Sequence, residues 1–448
     1  MPHHGQPITL SIDTLTDKGD GIANWHDRKV FIPGTLPGEQ VEVSLHGIKP
    51  KYAQADLIRI IQPHPQRIEA HCSYTECGGC QLAYLAYSEQ LKIKQQQVVD
   101  ALQSKGIMSS VEPCLGMSQP LAFRNKAVYS VRTKNGEPVI GFYRKNSHQV
   151  VDIAACPVQH EQTTAIIAAI RQWMKAFNIA GYDEANHTGC VRYVMIRHGF
   201  KTGSCMVVLV TLTDDLPKEA ELLTALAAID GIDSVIHNVN SERVNRILGI
   251  QQRVCYGSET IEDELHGLTF TISAHSFYQV NPQQTDQLYA TALYFAELKG
   301  NETVFDIYCG IGTISLYLAQ QAQKVIGIEI VPQAIDDARA NAQCNQLANT
   351  EFYVGKAEEV VPALYTQGMH ADVVVVDPPR KGCELSVLNT MLAMSPQRIV
   401  YVSCEPASLA RDLAVLQKGG YHITKVQPVD MFPHTHHVEN VVLLEKRN

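Results

Sequence analysis

Apolar and polar positions alternate between closely spaced turns in the amino-terminal part of the chain. Residues 8–61 carry this alternation, broken by turn sequences such as KGDGIA and PGTLPGE. A period of two is typical of strands that bury one face, and Gly, Pro and Asp mark the turns. The pattern predicts a small all-β module, and we interpret it as a short barrel of the oligonucleotide-binding kind. PHPQR (63–67) would form the exit linker.

A helical period follows this module and then gives way to strands. Residues 88–105 place apolar side chains at 91, 93, 98, 99 and 102, which predicts a helix with Ser88 as its N-cap. From about 120 to 272 most segments are strand-like, with one or two helices between them. This part therefore indicates an α+β region.

Strand and helix patterns take turns from about residue 276 onward. Runs such as TVFDIYCGIG, KVIGIEI and ADVVVVDPPR read as buried strands, each followed by a helical pattern. The last two runs, 421–432 and 439–447, indicate a final antiparallel pair. Such alternation is typical of a doubly wound α/β sheet, which binds ligands outside the carboxyl ends of its strands.

Composition narrows the class of protein. The chain has 448 residues, enough for two or three domains, and a hydrophobic content of 45%. A formal net charge of −9 argues mildly against a large nucleic-acid surface, although a local basic groove remains compatible with it. The start, MPHHGQPITL, lacks the pattern of an export signal, and apolar stretches such as 206–212 are of strand length. We expect no membrane association and a cytoplasmic location.

A glycine turn after a strand indicates a nucleotide-like cofactor. In DIYCGIGTIS, Gly310 and Gly312 would let the backbone approach a ligand closely at the start of a helix. Glu329 ends the next strand, where a carboxylate suits two ribose hydroxyls. Ser315 stands where a dinucleotide fingerprint has its third glycine. We therefore favour S-adenosylmethionine, which has no pyrophosphate, and a methyltransferase over a dehydrogenase.

Two further strand ends carry reactive groups. Asp377 precedes two prolines that would stiffen the rim of the cofactor site, and Cys404 ends the following strand. An exocyclic amine needs no thiol to accept a methyl group. Carbon 5 of a pyrimidine becomes a nucleophile only after a thiolate adds to carbon 6, and a base must then remove the proton from carbon 5. Glu439, just before the last strand, is the candidate base.

Two other groups of residues have more than one interpretation. Cys72, Cys77 and Cys80 form C-x4-C-x2-C, which indicates zinc with a fourth Cys or His, or a [4Fe–4S] cluster with a fourth thiolate. The strand FRNKAVYSVR interleaves basic side chains with aromatic ones. These basic residues predict either an RNA contact or a solvated strand face: Arg124, Lys126 and Arg132.

The motifs SFYQVN, DIYCGIGTIS, DPPRKG, YVSCEP and HVENVVLL occur in the order of a known family. From about residue 8 to the carboxyl terminus the chain resembles bacterial RNA uracil-5-methyltransferases, notably those that modify 23S ribosomal RNA. The resemblance implies a Rossmann-like class I methyltransferase domain at 273–448, a TRAM RNA-binding barrel at 1–62 and a central α+β domain at 63–272 that carries the cysteine cluster.

The resemblance also assigns roles to residues. Cys404 is similar to the family's nucleophile and Glu439 to its base. Cys309 is the competing thiol, which we assign to packing. The family often has asparagine where this chain has Glu405, whose side chain we expect to point away from the thiol. The family's cofactor contacts correspond to Gln279, Tyr308, Glu329 and Asp377, and its cluster ligands to Cys72, Cys77, Cys80 and Cys156.

Our leading hypothesis is S-adenosylmethionine-dependent methylation of uridine carbon 5 in 23S ribosomal RNA. One alternative is a transfer-RNA enzyme of the same chemistry, although such enzymes often lack both the barrel and the cluster. A second is an amino-methyltransferase, for which DPPR would suffice. A third is an RNA-binding iron–sulfur protein without catalysis. We expect RNA as the partner and no obligate protein partner.

Overall fold

The computed structural model describes residues 7–16 and 18–446, so most of the start inspected for an export signal lies outside it. The amino-terminal strands close into a barrel in the order β1-β2-β3-β5-β4, which confirms the predicted barrel. The barrel strands are β1 (Pro7–Leu15), β2 (Gly21–Trp25), β3 (Arg28–Ile32), β4 (Gln40–His46) and β5 (Tyr52–Gln62). Alternate side chains of each strand fill the barrel interior.

The first helix begins two residues earlier than the predicted cap at Ser88 requires. It is α1 (Tyr87–Gln103), with Ala86 as N-cap and Ser88 in the first turn, so the predicted serine cap is wrong. The N–H of Ala86 donates to the oxygen of Gln66 at 2.9 Å, which keeps Ala86 extended and lets the helix start directly after it. A tertiary contact thus overrides the local capping preference.

The central region is one seven-stranded sheet, ordered β12-β11-β10-β9-β6-β7-β8, with a separate hairpin β13-β14. Helices α2 and α3 cover one face, and the other face shares a hydrophobic core with the carboxy-terminal part. The elements are β6 (Lys126–Lys134), β7 (Glu137–Tyr143), β8 (Val150–Asp152), α2 (Gln162–Ala176), β9 (Val191–His198), β10 (Cys205–Thr211), α3 (Glu219–Ala227), β11 (Ile232–Val239), β12 (Gln251–Gly257), β13 (Ile261–Leu265) and β14 (Leu268–Ile272).

The carboxy-terminal part is the predicted doubly wound sheet, ordered β17-β16-β15-β18-β19-β21-β20. Strands β15 to β19 are parallel, and β21 runs antiparallel to both β19 and β20. The elements are α4 (Pro282–Ala296), β15 (Thr303–Ile307), α5 (Thr313–Ala319), β16 (Lys324–Glu329), α6 (Pro332–Cys344), β17 (Thr350–Val354), α7 (Ala357–Thr366), β18 (Val373–Val376), α8 (Leu385–Met394), β19 (Arg398–Ser403), α9 (Pro406–Lys418), β20 (Tyr421–Val429) and β21 (Glu439–Lys446). The fold class predicted from sequence is confirmed.

Helix α1 packs against this sheet rather than against the central one. Val98 and Leu102 lie in the same hydrophobic core as residues of α9 and β20. Lys94 and Asp430 form a fully buried ion pair between α1 and the end of β20, and the Tyr87 hydroxyl donates to Asp430 at 2.7 Å. The sequence pattern predicts this helix in the central domain at 63–272, whereas the helix packs on the carboxy-terminal sheet. The proposed domain boundaries at residues 62 and 272 therefore stay predictions.

The barrel docks beside the cysteine loop. Asp20 of the barrel pairs with Lys145, which follows β7. Gly19 approaches Gln81 so closely that an added Cβ would lie 3.1 Å from Gln81 Cβ.

Within the described part of the chain, no helix has both the length and the apolar character needed to cross a bilayer.

Candidate active site

The turn after β15 lets the backbone line a cleft at the carboxyl edge of the sheet. Tyr308, Gly310 and Gly312 all have positive φ, at 71°, 56° and 80°. A Cβ at Gly312 would lie 3.0 Å from Ala338 Cβ, whereas a Cβ at Gly310 would have no neighbour within 4 Å. Gly312 is thus required for packing against α6, and Gly310 leaves space beside the turn. An aromatic residue at positive φ is strained, which is typical of ligand sites.

Two carboxyl groups face this turn from neighbouring strands. Glu329 accepts hydrogen bonds from the N–H groups of Gly310 at 3.2 Å and Val331 at 3.0 Å, and it is half-buried at the end of β16. Asp306 accepts from the Ser315 hydroxyl at 2.5 Å, while its other oxygen is buried without a partner. Burial raises the pKa of Asp306 to about 7. A ribose diol at Glu329 and a donor at Asp306 would satisfy these oxygens, so the cleft fits S-adenosylmethionine.

Strands β19 and β21 bring the candidate nucleophile and base together. Ser403 pairs with Asn440 in the antiparallel register, so the next residues outward are Cys404 and Glu439. Burial, Glu439 and Asp377 raise the pKa of the half-buried Cys404 thiol to about 12, and the charge of Arg380 opposes them. Burial and the charge of Asp377 raise the pKa of Glu439 to about 8, and the charge of Arg380 acts in the opposite direction.

Asp377 lies between the cofactor turn and the thiol. It follows β18, the neighbour of both β15 and β19. The residue is partly exposed, but burial of its carboxyl raises the pKa to about 7. The structure thus brings Asp377, Glu329, Cys404 and Glu439 to one edge of the sheet, as their positions in the sequence predict.

Two residues of this site were missed by sequence reasoning. Tyr289 on α4 is buried and hydrogen-bonds the side chain of Gln279, and burial together with Asp377 raises its pKa well above the usual range. Arg380 provides the positive charge that acts on both Cys404 and Glu439. The position of Arg380 within the motif DPPRKG could have identified it. Tyr289 is a single tyrosine inside a helix, and no sequence pattern distinguishes it.

Cys309 lies in a packed position, and Glu405 lies at the start of a helix. Cys309 is buried against Gly327, where an added Cβ would lie 3.0 Å from its sulfur, and this contact supports its assignment to packing. Glu405 is the N-cap residue of α9, without a capping bond from its side chain. It is not among the principal causes that raise the pKa of Cys404.

Four cysteines meet beside the barrel. Cys72, Cys77, Cys80 and Cys156 are half-buried, and each thiol that shows a raised pKa owes part of the increase to its cysteine neighbours. Arg124 lies next to Cys80 and Cys156, and its buried Nε has no hydrogen-bond partner. Among residues 7–16 and 18–446, no group of three or more His, Cys, Asp or Glu side chains is arranged to hold a metal ion.

The basic strand segment is not a solvated face. Arg124, Lys126 and Arg132 are all partly buried, and burial lowers the pKa of Lys126 to about 8. Arg132 donates to the Tyr143 hydroxyl at 3.0 Å and pairs with Glu184. The prediction of a solvated face is therefore wrong, and the RNA contact stays a prediction.

The buried carboxyl groups predict a protein that loses stability as pH rises. A carboxyl whose pKa is raised by folding stabilises the fold while it is protonated, up to its unfolded pKa, and this contribution disappears as pH rises through the folded value. For Glu439 the window is about 4.5 to 8. We expect Glu439→Gln to stabilise the free protein by roughly 1–2 kcal/mol near pH 8.5 and to change little near pH 4.5.

Urea denaturation at both pH values measures this difference. Glu405→Gln is the control, because it removes the same charge from the residue next to Cys404. Equal effects of the two substitutions at high pH would contradict the assigned cause.

Two family models and several known proteins match this chain. A family model described as tRNA (Uracil-5-)-methyltransferase matches residues 86–447, and a TRAM domain model matches residues 3–58. The chain is 47% identical to an uncharacterized RNA methyltransferase of Halalkalibacterium halodurans over 445 residues, 98% of this chain and 97% of that protein. It is 46% identical to one of Clostridium tetani over 97% of this chain and 95% of that protein.

A solved structure extends the likeness to three dimensions. The Pyrococcus abyssi tRNA (uracil-54, C5)-methyltransferase, in complex with S-adenosyl-L-homocysteine, superposes with a TM-score of 0.79. It shares 26% sequence identity, over 98% of this chain and all of that chain. The chain belongs to the tRNA (uracil-5-)-methyltransferase family and is an S-adenosylmethionine-dependent RNA methyltransferase.

Proposed function

We propose that the protein methylates carbon 5 of a uridine in 23S ribosomal RNA through a covalent bond between Cys404 and carbon 6. The observation that carries this proposal is the register of β19 and β21, which sets Cys404 beside Glu439 at the carboxyl edge of the sheet. The thiol, the base and Asp377 then share one cleft with the cofactor turn. An RNA substrate also supports a cytoplasmic location.

Each side chain has a defined task in this reaction. The Cys404 sulfur, as thiolate, adds to carbon 6, and the electron pair of the 5,6 double bond makes carbon 5 nucleophilic. S-adenosylmethionine, when bound, supplies the electrophilic methyl group. Glu439 then removes the proton from carbon 5, the double bond forms again, and the thiolate leaves. The charge of Arg380 favours the thiolate, against the two carboxyl groups that oppose it.

The proposed cofactor contacts lie at or near the carboxyl edge of the sheet. Glu329 suits the ribose hydroxyls, and Tyr308, at positive φ, belongs to the glycine turn and carries its hydroxyl next to Cys383. Gln279 is fixed from two sides, because its backbone oxygen accepts from the Asn125 amide at 2.8 Å and its side chain bonds Tyr289. We propose these residues, with Asp377, as the cofactor contacts.

Transfer RNA is the second candidate substrate. The Pyrococcus abyssi enzyme is named for tRNA, and its alignment with 98% of this chain spans the barrel as well. From the sequence we expected the barrel to make a tRNA substrate less favoured. Because the tRNA enzyme aligns over the barrel as well, the barrel does not count against tRNA. Family membership argues against an RNA-binding protein without catalysis.

Transfer of labelled methyl groups to 23S and tRNA transcripts distinguishes these substrates. We expect label in 23S RNA, with 5-methyluridine as the labelled nucleoside after digestion. Label in tRNA alone would keep the chemistry and change the substrate. A labelled amino group on any base would overturn the proposed reaction.

We also propose that Cys72, Cys77, Cys80 and Cys156 hold a [4Fe–4S] cluster. The described residues show no group of three or more His, Cys, Asp or Glu side chains arranged to hold a metal ion, so this proposal rests on the family resemblance of these four cysteines. Four thiolates on a cluster would carry negative charge, and the buried, unpartnered Nε of Arg124 lies next to Cys80 and Cys156.

Cys80→Ser should therefore remove iron from the protein. We expect anaerobically prepared protein to contain iron and acid-labile sulfide, and the variant to lose most of both. Cys114→Ser is the matched control, because Cys114 is buried but lies apart from these four residues. Zinc in place of iron, or equal iron in both variants, would contradict the cluster.

A further inference from the structure

A second pocket lies in the central domain, outside the methylation cleft. It encloses about 440 Å³, and its lining includes Tyr143, Tyr182, Tyr193, Arg192 and Arg243. This volume is in the range of small-molecule sites. Tyr143 is the partly exposed ring of the lining, whereas Tyr182 and Tyr193 are buried, and the guanidinium groups of Arg192 and Arg132 lie over the Tyr182 ring. None of these residues takes part in the proposed methyl transfer.

Arg192 provides a buried positive charge in the wall of this pocket. The residue is only 2% exposed, and its guanidinium carbon lies 4.5 Å from the centroid of the Tyr182 ring. It donates to the backbone oxygens of Asn240 and Glu242, the latter at 2.8 Å, while its Nε has no partner. The buried cation therefore holds the loop that carries Arg243 and still lacks one acceptor.

The charge at the rim is suited to an anion. Arg243 is exposed, and no carboxylate of the described residues lies within ion-pair distance of it. Glu184 is the acidic side chain of the lining, and Arg132 pairs with it at 3.3 Å while His148 Nδ1 lies 3.1 Å from its carboxylate. Aromatic faces with arginine at the rim are typical of sites for unstacked nucleotides.

Strand β9 links the pocket to the segment that leads to Gln279. Arg192 and Tyr193 of the lining begin this strand, and Arg197 near its end donates to the backbone oxygen of Ser276, at 2.5 Å. Burial lowers the pKa of His275 in this segment, and the charges of Arg197 and Arg246 add to the decrease. Phe277 in this segment is 65% exposed.

We propose that this pocket binds an unstacked nucleotide of the RNA substrate other than the methylated uridine. The base stacks on Tyr143, and Arg243 contacts its phosphate. The inference rests on RNA as the substrate of the proposed function, and it adds a second point at which the enzyme reads its RNA.

Binding and kinetics of Arg243→Gln test the proposal. We expect the Kd for the shortest methylated RNA and the KM to rise on the order of tenfold, with kcat retained at saturating RNA. Arg253→Gln is the control, because Arg253 lies in β12 and pairs with Glu219 on the face that α3 covers. Glu184→Gln, which removes a negative charge from the lining, should tighten binding.

Nested truncation of that RNA locates the nucleotide. Once it is removed, wild type and Arg243→Gln should have the same KM. Equal Kd and KM for Arg243→Gln and Arg253→Gln on the full RNA would overturn the proposal. Failure of the wild type to methylate any RNA would instead overturn the proposed function, so the two failures are distinguishable.

Discussion

Cys404→Ala should abolish methylation and leave the protein folded with its cofactor. Without the thiol, carbon 5 of uridine stays a poor nucleophile, so we expect the rate to fall roughly a thousandfold or more. RNA that contains 5-fluorouridine makes the same point directly. Because Glu439 cannot remove fluorine as it removes a proton, the methylated adduct should stay bonded to wild-type protein and appear as a shifted band on a denaturing gel.

The competing thiol provides the matched control for this experiment. Cys309→Ala removes a sulfur from the cofactor turn, where it packs against Gly327, and should still form the adduct. Cofactor binding by calorimetry should be retained in Cys404→Ala, which separates a lost nucleophile from a lost fold. Continued methyl transfer by Cys404→Ala would mean that the thiol does not react, and would favour an amino-methyltransferase.

Much of this site could be predicted because it lies at strand ends. In a parallel sheet the carboxyl ends of all strands meet at one edge, so Glu329, Asp377 and Cys404 are neighbours although they are far apart in sequence. The strands themselves stand out because a parallel sheet covered on both faces needs continuous apolar runs, as in the four valines of β18.

Contacts between distant elements could not be predicted in this way. The period of α1 indicates a buried face but not the surface that the face covers, and α1 packs across the proposed domain boundary. Lys94 and Asp430 each look like an ordinary exposed charge in the sequence, yet they form a fully buried pair. Only the fold reveals that each charge has its partner, without which burial would be costly.

The same contacts support the position of the base. Asp430, held by Lys94, begins the connection between β20 and β21 that ends at Glu439. In that connection, the backbone oxygen of His434 accepts from the Leu82 N–H of the cysteine loop at 2.8 Å. Elements from the amino-terminal part of the chain thus hold the segment that leads to the proposed base.

Glu439→Gln should stop the reaction one step later than Cys404→Ala does. The glutamine cannot accept the proton of carbon 5, so an ordinary uridine RNA should receive its methyl group and then stay bonded to Cys404. We expect one labelled methyl group per protein, a shifted band without fluorine, and turnover slower by about 10²–10⁴-fold. In the wild type, whose Glu439 has a pKa raised to about 8, turnover should increase with pH up to that value as the carboxylate form becomes populated.

Glu405→Gln is the control that distinguishes loss of the proposed base from loss of any carboxylate near Cys404. This variant removes a carboxylate next to Cys404 but should turn over many times and give no stable band with ordinary RNA. If Glu439→Gln turns over like Glu405→Gln, another group removes the proton. Of the side chains in this cleft, Asp377 is then the next candidate, because burial also raises the pKa of its carboxyl to about 7. Absence of both adduct and methyl transfer in Glu439→Gln would mean that the carboxylate is needed before carbon 5 is methylated, as the acceptor of the Cys404 proton.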